Sequence, residues 1–252
     1  MKICFLTDLH TGAPDEMPFD IDLRQNFLDV IETVRSCQPD MIIIGGDLCF
    51  KIHEDAICEW QKVHLDALEI PYRIIAGNHD DSVRLQAIFH ELPKTKDGEL
   101  YYAETLQHKN IVFLDTSKGS MSTTQKEWLR QQLASAQGDP ILVMHHPPML
   151  MGVPHMDQNH ALQDRDEILD ILLKCQCNID VFCGHYHVEK MVRLDNLTIH
   201  ITPSCYFQIN PFEQEFAIDH KRIGFRMLSF EAKHQKFESQ VRYLPGNVLT
   251  VE

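Results

Sequence analysis

At 252 residues the chain is the size of one large domain, able to bury roughly three quarters of its unfolded surface. Its formal charge of −14, from 23 basic and 37 acidic residues, argues against broad, unspecific binding to nucleic acid or an anionic membrane. No apolar run approaches the roughly 20 residues that a membrane span needs. No cationic and apolar leader precedes the first strand, so the eight cysteines read as reduced and the setting as cytoplasmic. Cys175-Gln176-Cys177 lacks a second pair at zinc-ribbon spacing, so no structural metal is expected there.

In chain order, Lys2–Thr7 reads as a buried strand and Leu23–Cys37 as an amphipathic helix with Phe27, Val30, Ile31 and Val34 on one face. Met41–Ile44 is a strand, Ala56–Leu68 a helix, Tyr72–Ala76 a strand and Val83–His90 a helix. Tyr101–Glu104 and Ile111–Leu114 read as neighbouring strands, followed by a helix over Thr124–Ala134. Ile141–Met144 and Val181–Cys183 are strands flanking a helix over Leu162–Cys175. Five short strands complete the chain: Lys190–Leu194, Leu197–Ile201, Glu215–Ile218, Gly224–Phe230 and Phe237–Tyr243. A strand–helix half followed by a hairpin-rich half predicts one domain over 1–252, with two packed sheets and helices outside.

Five polar motifs sit where apolar strands run out: Asp8-Leu9-His10, Gly45-Gly46-Asp47, Gly77-Asn78-His79-Asp80, His145-His146-Pro147 and Gly184-His185-Tyr186-His187. In open α/β sheets, ligands gather beyond the carboxyl ends of strands, so residues far apart in sequence can converge. Asp8 and His10 are two apart, as are His185 and His187, and in extended chain such pairs share a side. The glycines beside Asp47, Asn78 and His185 let the backbone turn sharply. As candidate ligands the motifs offer the two carboxylates of Asp8 and Asp47, one amide and up to six imidazoles, a donor set suited to Mn, Fe, Zn or Co. Asp8 alone reads equally well as a cap, Asp47 as a common Gly-Asp turn, and His145-His146 as loop histidines. Only the joint occurrence, in this order, makes the metal reading the better one.

That ordered set resembles the calcineurin-like metallophosphoesterase superfamily, and Gln125–Leu129 matches a helix segment common in it. The resemblance implies a four-layer αββα sandwich of two mixed sheets flanked by helices. It implies that Asp8, His10 and His187 bind one metal, that Asn78, His145 and His185 bind the other, and that Asp47 bridges them. His145 is preferred over His146 because the family's ligand lies two residues before proline. His79 matches the family's catalytic histidine, near the leaving group and not a ligand; which acid orients it is open. The other histidines receive no ligand role, His53 and His155 being loop residues at most within reach of substrate. Two metals about 3.5–4 Å apart lower the pKa of a bridging water, whose hydroxide attacks phosphorus.

Departures within the superfamily point to the substrate. The Asp-Arg-Gly segment of protein phosphatases is absent after Asp47, where Leu48-Cys49-Phe50-Lys51 follows, and Asp80 replaces their glutamate. A phosphomonoester dianion usually wants cationic clamps, so a diester is favoured. His145-His146-Pro147-Pro148, with Thr202-Pro203-Ser204 and Ile223-Gly224-Phe225-Arg226, is most similar to the bacterial class III cyclic nucleotide phosphodiesterases and glycerophosphodiesterases. The expectation is therefore a cytoplasmic hydrolase of a small-molecule phosphodiester, cyclic AMP first and glycerophosphodiesters second. No membrane and no long nucleic acid are expected as partners, and self-association is left open. A non-catalytic scaffold on this fold is the alternative of another class. Met149–His160, after the His145 motif, is the loop placed to line the pocket.

Overall fold

The computed structural model describes residues 1–107, 109–231 and 236–249. His108 and His234, given no ligand role above, lie outside these. Three apolar strands, β1 (Lys2–Leu6), β2 (Met41–Ile44) and β3 (Tyr72–Ile74), pair in parallel in the order β1-β2-β3. Two long antiparallel strands, β12 (Ile223–Glu231) and β13 (Lys236–Leu244), extend the sheet beyond β1 to give the order β13-β12-β1-β2-β3. Helices α1 (Leu23–Cys37), α2 (Asp55–Asp66) and α3 (Ser82–Ile88) belong to this half. Asp22 caps α1 by accepting from the Gln25 N–H, and Asp81 caps α3, satisfying amide groups that helices leave free at their start.

The second sheet contains β4 (Tyr102–Leu106), β5 (Lys109–Phe113), β6 (Ile141–Val143), β7 (Ile179–Cys183), β8 (Lys190–Leu194) and β9 (Leu197–Ile201), in the order β4-β5-β6-β7-β9-β8. Its central strands β6 and β7 are buried on both faces, and the period of two divides their side chains between two cores. Ile111, Phe113, Ile141, Val143 and Phe182 join the core of the first sheet. Their neighbours Val112, Leu142, Val181 and Cys183 pack with Leu129 of α4 (Thr123–Ser135) and Ile168 of α6 (Arg165–Leu173). Phe5 and Phe182 meet between the sheets with centroids 6.1 Å apart. Two large mixed sheets with helices outside are the architecture expected.

Several details differ from expectation. Met149–His160 is not all loop, because Pro154 at the first turn starts a short helix, α5 (Pro154–Asn159). The strand placed at Glu215–Ile218 lies two to three residues later, as β11 (Ile218–His220), paired with β10 (Gln208–Ile209). Cys175 and Cys177 are not reduced: the turn after α6 brings their Cα atoms to 5.3 Å and a disulfide joins them. The other described cysteines (Cys4, Cys37, Cys49, Cys58, Cys183 and Cys205) are free. No helix of the described residues is long and apolar enough to cross a membrane.

Phe182 is fully buried between the sheets. Truncating it to alanine should destabilise the protein by about 3–5 kcal/mol. Urea unfolding of Phe182→Ala checks this, and an unchanged midpoint would show that the sheets do not depend on that contact.

Candidate metal centre

The five motifs lie directly beyond the carboxyl ends of β1, β2, β3, β6 and β7. Backbone hydrogen bonds bind them to one another: the Asp8 N–H donates to Gly46 O at 3.0 Å and the Gly184 N–H to His145 O at 3.1 Å. The structure brings Asp8, His10 and His187 together, and Asp47, His145 and His185 together. His187 Nε2 is 3.4 Å from Asp8 Oδ1, His145 Nε2 is 3.3 Å from Asp47 Oδ2, and His10 Nε2 is 3.7 Å from Asp47 Oδ2. Asn78 Oδ1 lies 3.2 Å from His145 Nε2. Asp47 therefore stands between the two groups.

Convergence does not arise in the way strand periodicity suggests. Asp8, His10, Asp47, His185 and His187 all have positive φ, between 44° and 66°. The chain has left the strand, and three of the five motifs, those of Asp8, Asp47 and His185, are left-handed kinks that turn their ligand side chains inward. Non-glycine residues held there cost of order 1–3 kcal/mol each, and such conformations cluster at functional sites. Gly77 and Gly184, expected to supply sharp turns, have φ values outside that region and contribute space instead. A Cβ on Gly77 would fall 2.2 Å from Asp47 Oδ1, and one on Gly184 would fall 2.4 Å from Asp8 Oδ2.

Each imidazole is aimed by a carbonyl at its far nitrogen. His145 Nδ1 is 2.8 Å from Gly45 O and His187 Nδ1 is 3.1 Å from Phe207 O, which leaves both Nε2 atoms inward. His185 is reversed, with Nε2 2.9 Å from His160 O and Nδ1 left for the centre. Such second contacts orient histidine ligands in metal sites. Asp8 is held by the His185 N–H at 3.0 Å and the Thr7 hydroxyl at 2.9 Å, and Asp47 by the His79 N–H at 2.9 Å. The set of oriented nitrogen and carboxylate donors, buried except for Asn78, fits divalent metal ions.

His79 points its Nδ1 to the Lys51 carbonyl, while its Nε2 lies 3.8 Å from Asp47 Oδ2. No acid orients it. Asp80 faces away and accepts the backbone N–H groups of Leu48 (3.0 Å) and Gly77 (2.9 Å). His146 stands behind the centre, its Nδ1 2.9 Å from Thr116 Oγ1 and its ring against His185. Lys51 is paired with Glu16. His53 is absent from the cavity lining and sits beside Cys49 and Cys58.

A cavity of about 260 Å³ opens onto the donors and is lined by His10, Asp47, Asn78, His79, His185 and His187. Its other wall is apolar, with Phe19, Phe50, Tyr206, Phe207 and Phe216. Phe207 and Phe216 have centroids 5.8 Å apart, and Phe19 and Phe216 6.1 Å. Met156 of α5 and His160 complete the lining. The Tyr186 hydroxyl fixes that region by donating to Asp157 Oδ1 at 2.8 Å, and Asp157 Oδ2 accepts the N–H groups of Gly152 and Val153. The aromatic wall had no motif to announce it; only the proximity of Phe50 to Asp47 and of Tyr206-Phe207 to Ser204 was available as a signal.

Burial and charge divide the titrating groups. Burial would raise Asp8, but the neighbouring His187 and His145 hold it at about 2. Burial alone would lower His145, yet the carboxylates of Asp47 and Asp8 raise it to about 9. Burial depresses His10 to about 4 and, with the charge of His145, His185 to about 3; His146 is also driven well down by burial. These are values for the protein without metal.

Two mixed sheets whose carboxyl edges carry these donors define a candidate centre for divalent metal ions. The chain belongs to the calcineurin-like phosphoesterase family, whose family model matches residues 1–189. It is 32% identical over 230 residues to a probable cyclic nucleotide phosphodiesterase of Fibrobacter succinogenes, covering 91% of this chain and 90% of the relative. A 3',5'-cyclic adenosine monophosphate phosphodiesterase of Vibrio vulnificus is 26% identical, with 99% and 92% covered. A glycerophosphodiester phosphodiesterase of Enterobacter lignolyticus is 25% identical, with 92% and 90% covered. Among solved structures, a dimetal phosphatase of Danio rerio superposes with a TM-score of 0.66 at 13% identity, covering 90% of this chain and 95% of that one.

The depressed histidines have a consequence for the chelated protein. A histidine with a folded pKa below its unfolded value of about 6.5 contributes fully above that value and destabilises as pH falls. Chelated protein should therefore lose thermal stability between about pH 6.5 and pH 4, with His10, His146 and His185 acting in that direction and Asp80, whose carboxyl is raised to about 7 by burial and by Asp47, opposing them in part. His145 is silent in this window because it is protonated both folded and unfolded. Melting curves of the chelated protein across the range provide the check, and a flat midpoint would contradict the burial of these imidazoles.

Proposed function

We propose that the chain hydrolyses 3',5'-cyclic nucleotides, cyclic AMP first, to nucleoside 5'-monophosphates at a two-metal centre. The observation that carries this reading is the aromatic wall of Phe19, Phe207 and Phe216, in the same cavity as the donors. A nucleobase has π faces to stack there, whereas a glycerophosphodiester has none. No lysine or arginine lines the cavity among the described residues, which suits a diester monoanion better than a monoester dianion. Both cyclic nucleotide relatives support the same choice, and the glycerophosphodiester relative makes that substrate the second reading.

In this reading Asp8, His10 and His187 hold one ion, Asn78, His145 and His185 the other, and Asp47 both; Mn or Fe is favoured over Zn or Co. When bound, the ions supply Lewis acidity toward the phosphoryl oxygens and lower the pKa of a water between them. The remaining work belongs to the chain. The aromatic wall holds the base and turns the cyclic phosphate toward the donors. Water adds to phosphorus with loss of a proton to solvent, the P–O3' bond breaks, the departing ribose oxygen takes a proton from His79 Nε2, and the imidazole regains its proton from solvent. The Lys51 carbonyl orients the imidazole through Nδ1 and leaves Nε2 as the atom that faces the donors. A cytoplasmic setting belongs to this reading and is supported by the six free cysteines.

With manganese added, cyclic AMP should be turned over with a higher kcat/KM than glycerophosphocholine. A nitrophenyl diester should likewise exceed the corresponding monoester. Phe216→Ala should raise KM for cyclic AMP and leave the small aryl diester little changed. A preference for glycerophosphocholine or the monoester would overturn the substrate assignment. Asp47→Ala should abolish activity and lower metal content without unfolding the domain.

His79→Ala separates proton donation from ligation. General acid help is typically worth about 10²–10⁴-fold, or roughly 3–5 kcal/mol of barrier. Cyclic AMP hydrolysis should fall by that range, whereas a nitrophenolate leaves readily without a proton and its diester should be spared. Equal losses on both substrates would assign His79 to positioning, and loss of metal would make it a ligand.

A further inference from the structure

A second group of donors lies outside the centre described above. Cys49, in the loop after Asp47, Cys58, in α2, and His53 between them bring two sulfurs and one ring nitrogen within 4.8 Å of one another, all three residues being buried. Cys49 Sγ is 3.6 Å from Cys58 Sγ, and Cys58 Sγ is 4.0 Å from His53 Nδ1. Around a tetrahedral zinc with Zn–S of about 2.3 Å and Zn–N of about 2.0–2.1 Å, the corresponding edges are roughly 3.8 and 3.6 Å. Both distances thus fall near the edges of one coordination sphere, and the third pair lies within 4.8 Å. His53 Nε2 is held at 3.1 Å by Asp55 Oδ1, the carboxylate contact that fixes an imidazole ligand from behind. Arg84 secures that carboxylate in turn, at 2.9 Å. The Glu54 N–H is directed at Cys49 Sγ from 3.4 Å, a donor suited to a thiolate.

We propose that Cys49, His53 and Cys58 form a mononuclear site for a soft divalent cation of the zinc class, distinct from the oxygen- and nitrogen-lined centre at the sheet edges. Two thiolates and one neutral imidazole around a dication form a unit without net charge, the form in which ionised sulfur is tolerated in an interior. Three protein donors leave one position for water. The ion would clamp the loop after β2 onto the start of α2. That loop carries Asp47 at one end and includes the Lys51 carbonyl that orients His79, so the site would brace the centre without entering it. The proposal does not depend on the identity of the substrate.

Cobalt distinguishes the two sites, because only thiolate ligation gives a sulfur-to-cobalt charge-transfer band in the near ultraviolet. Full-length protein titrated with Co²⁺ should develop that band, and zinc should displace it. The double variant C49A/C58A should lose the band and one metal equivalent per chain. Its folding, followed by circular dichroism, should be retained, because buried free cysteine packs as a small hydrophobe. His53→Ala, at the edge of the cluster, is the second variant and should weaken cobalt binding in the band by at least about tenfold. Absence of the band in wild-type protein would overturn the proposal, as would an undiminished band in both variants. Alkylation and mass analysis showing Cys49 and Cys58 joined as a disulfide in freshly purified protein would also overturn it.

Discussion

Two carboxylates buried side by side with no lysine or arginine between them are the constraint around which this protein is organised. Asp8 and Asp47 would be expensive to bury alone, and the chain answers with imidazoles at 3.3–3.7 Å and with peptide N–H groups aimed at both. The donating peptides belong to His185 and His79, members of other motifs, so two of the motifs help to solvate carboxylates delivered by two others. Closeness of that kind requires space as well as charge. Gly184 lies against Asp8 and Gly77 against Asp47 because no side chain fits there.

The same closeness explains the kinked backbone. A straight strand delivers every second side chain to one face, which would place Asp8 and His10 in line but not around a point. Left-handed turns at five of the seven candidate ligands curl the motifs inward, and the hydrogen bonds among the loops hold these uncommon conformations. The local strain is offset by the packed sheets beneath, whose apolar strands end immediately before each motif.

Legibility in the sequence followed how local the cause was. The helix Leu23–Cys37 and the strands Met41–Ile44, Lys190–Leu194 and Leu197–Ile201 could be read to the residue, because periodicity and flanking turn residues lie within the segment. The convergence of the five motifs was legible through their order and through the rule that ligands gather beyond strand ends. Their left-handed geometry was not, since aspartate also adopts it in turns remote from the site, as at Asp97 and Asp195, and here contacts between distant loops fix it. The helix over Pro154–Asn159 escaped because its N-cap, Val153, has no side-chain acceptor; the Asp157 carboxylate, inside the helix, reaches back to the N–H groups of Gly152 and Val153, and it is tied in turn to Tyr186. The aromatic wall escaped for a similar reason: Phe19, Phe50, Phe207 and Phe216 come from separate connections, and no spacing relates them. The pairing of Cys175 with Cys177 depends on the turn after α6, which helix periodicity had carried two residues too far.

The donors are divided between the layers: Asp8, Asp47 and Asn78 follow strands of one sheet, whereas His145, His185 and His187 follow strands of the other. An ion gripped by Asp47 and His145 would act as a rivet through both. Thermodynamic reciprocity then couples occupancy to the packing between the sheets: whatever the ion adds to the docking of one sheet on the other, that docking adds to affinity for the ion. Residues in the seam, Phe5 among them, would become determinants of metal affinity while touching no ligand. Sequence drift in the seam would therefore tune the centre from below, leaving the motifs untouched.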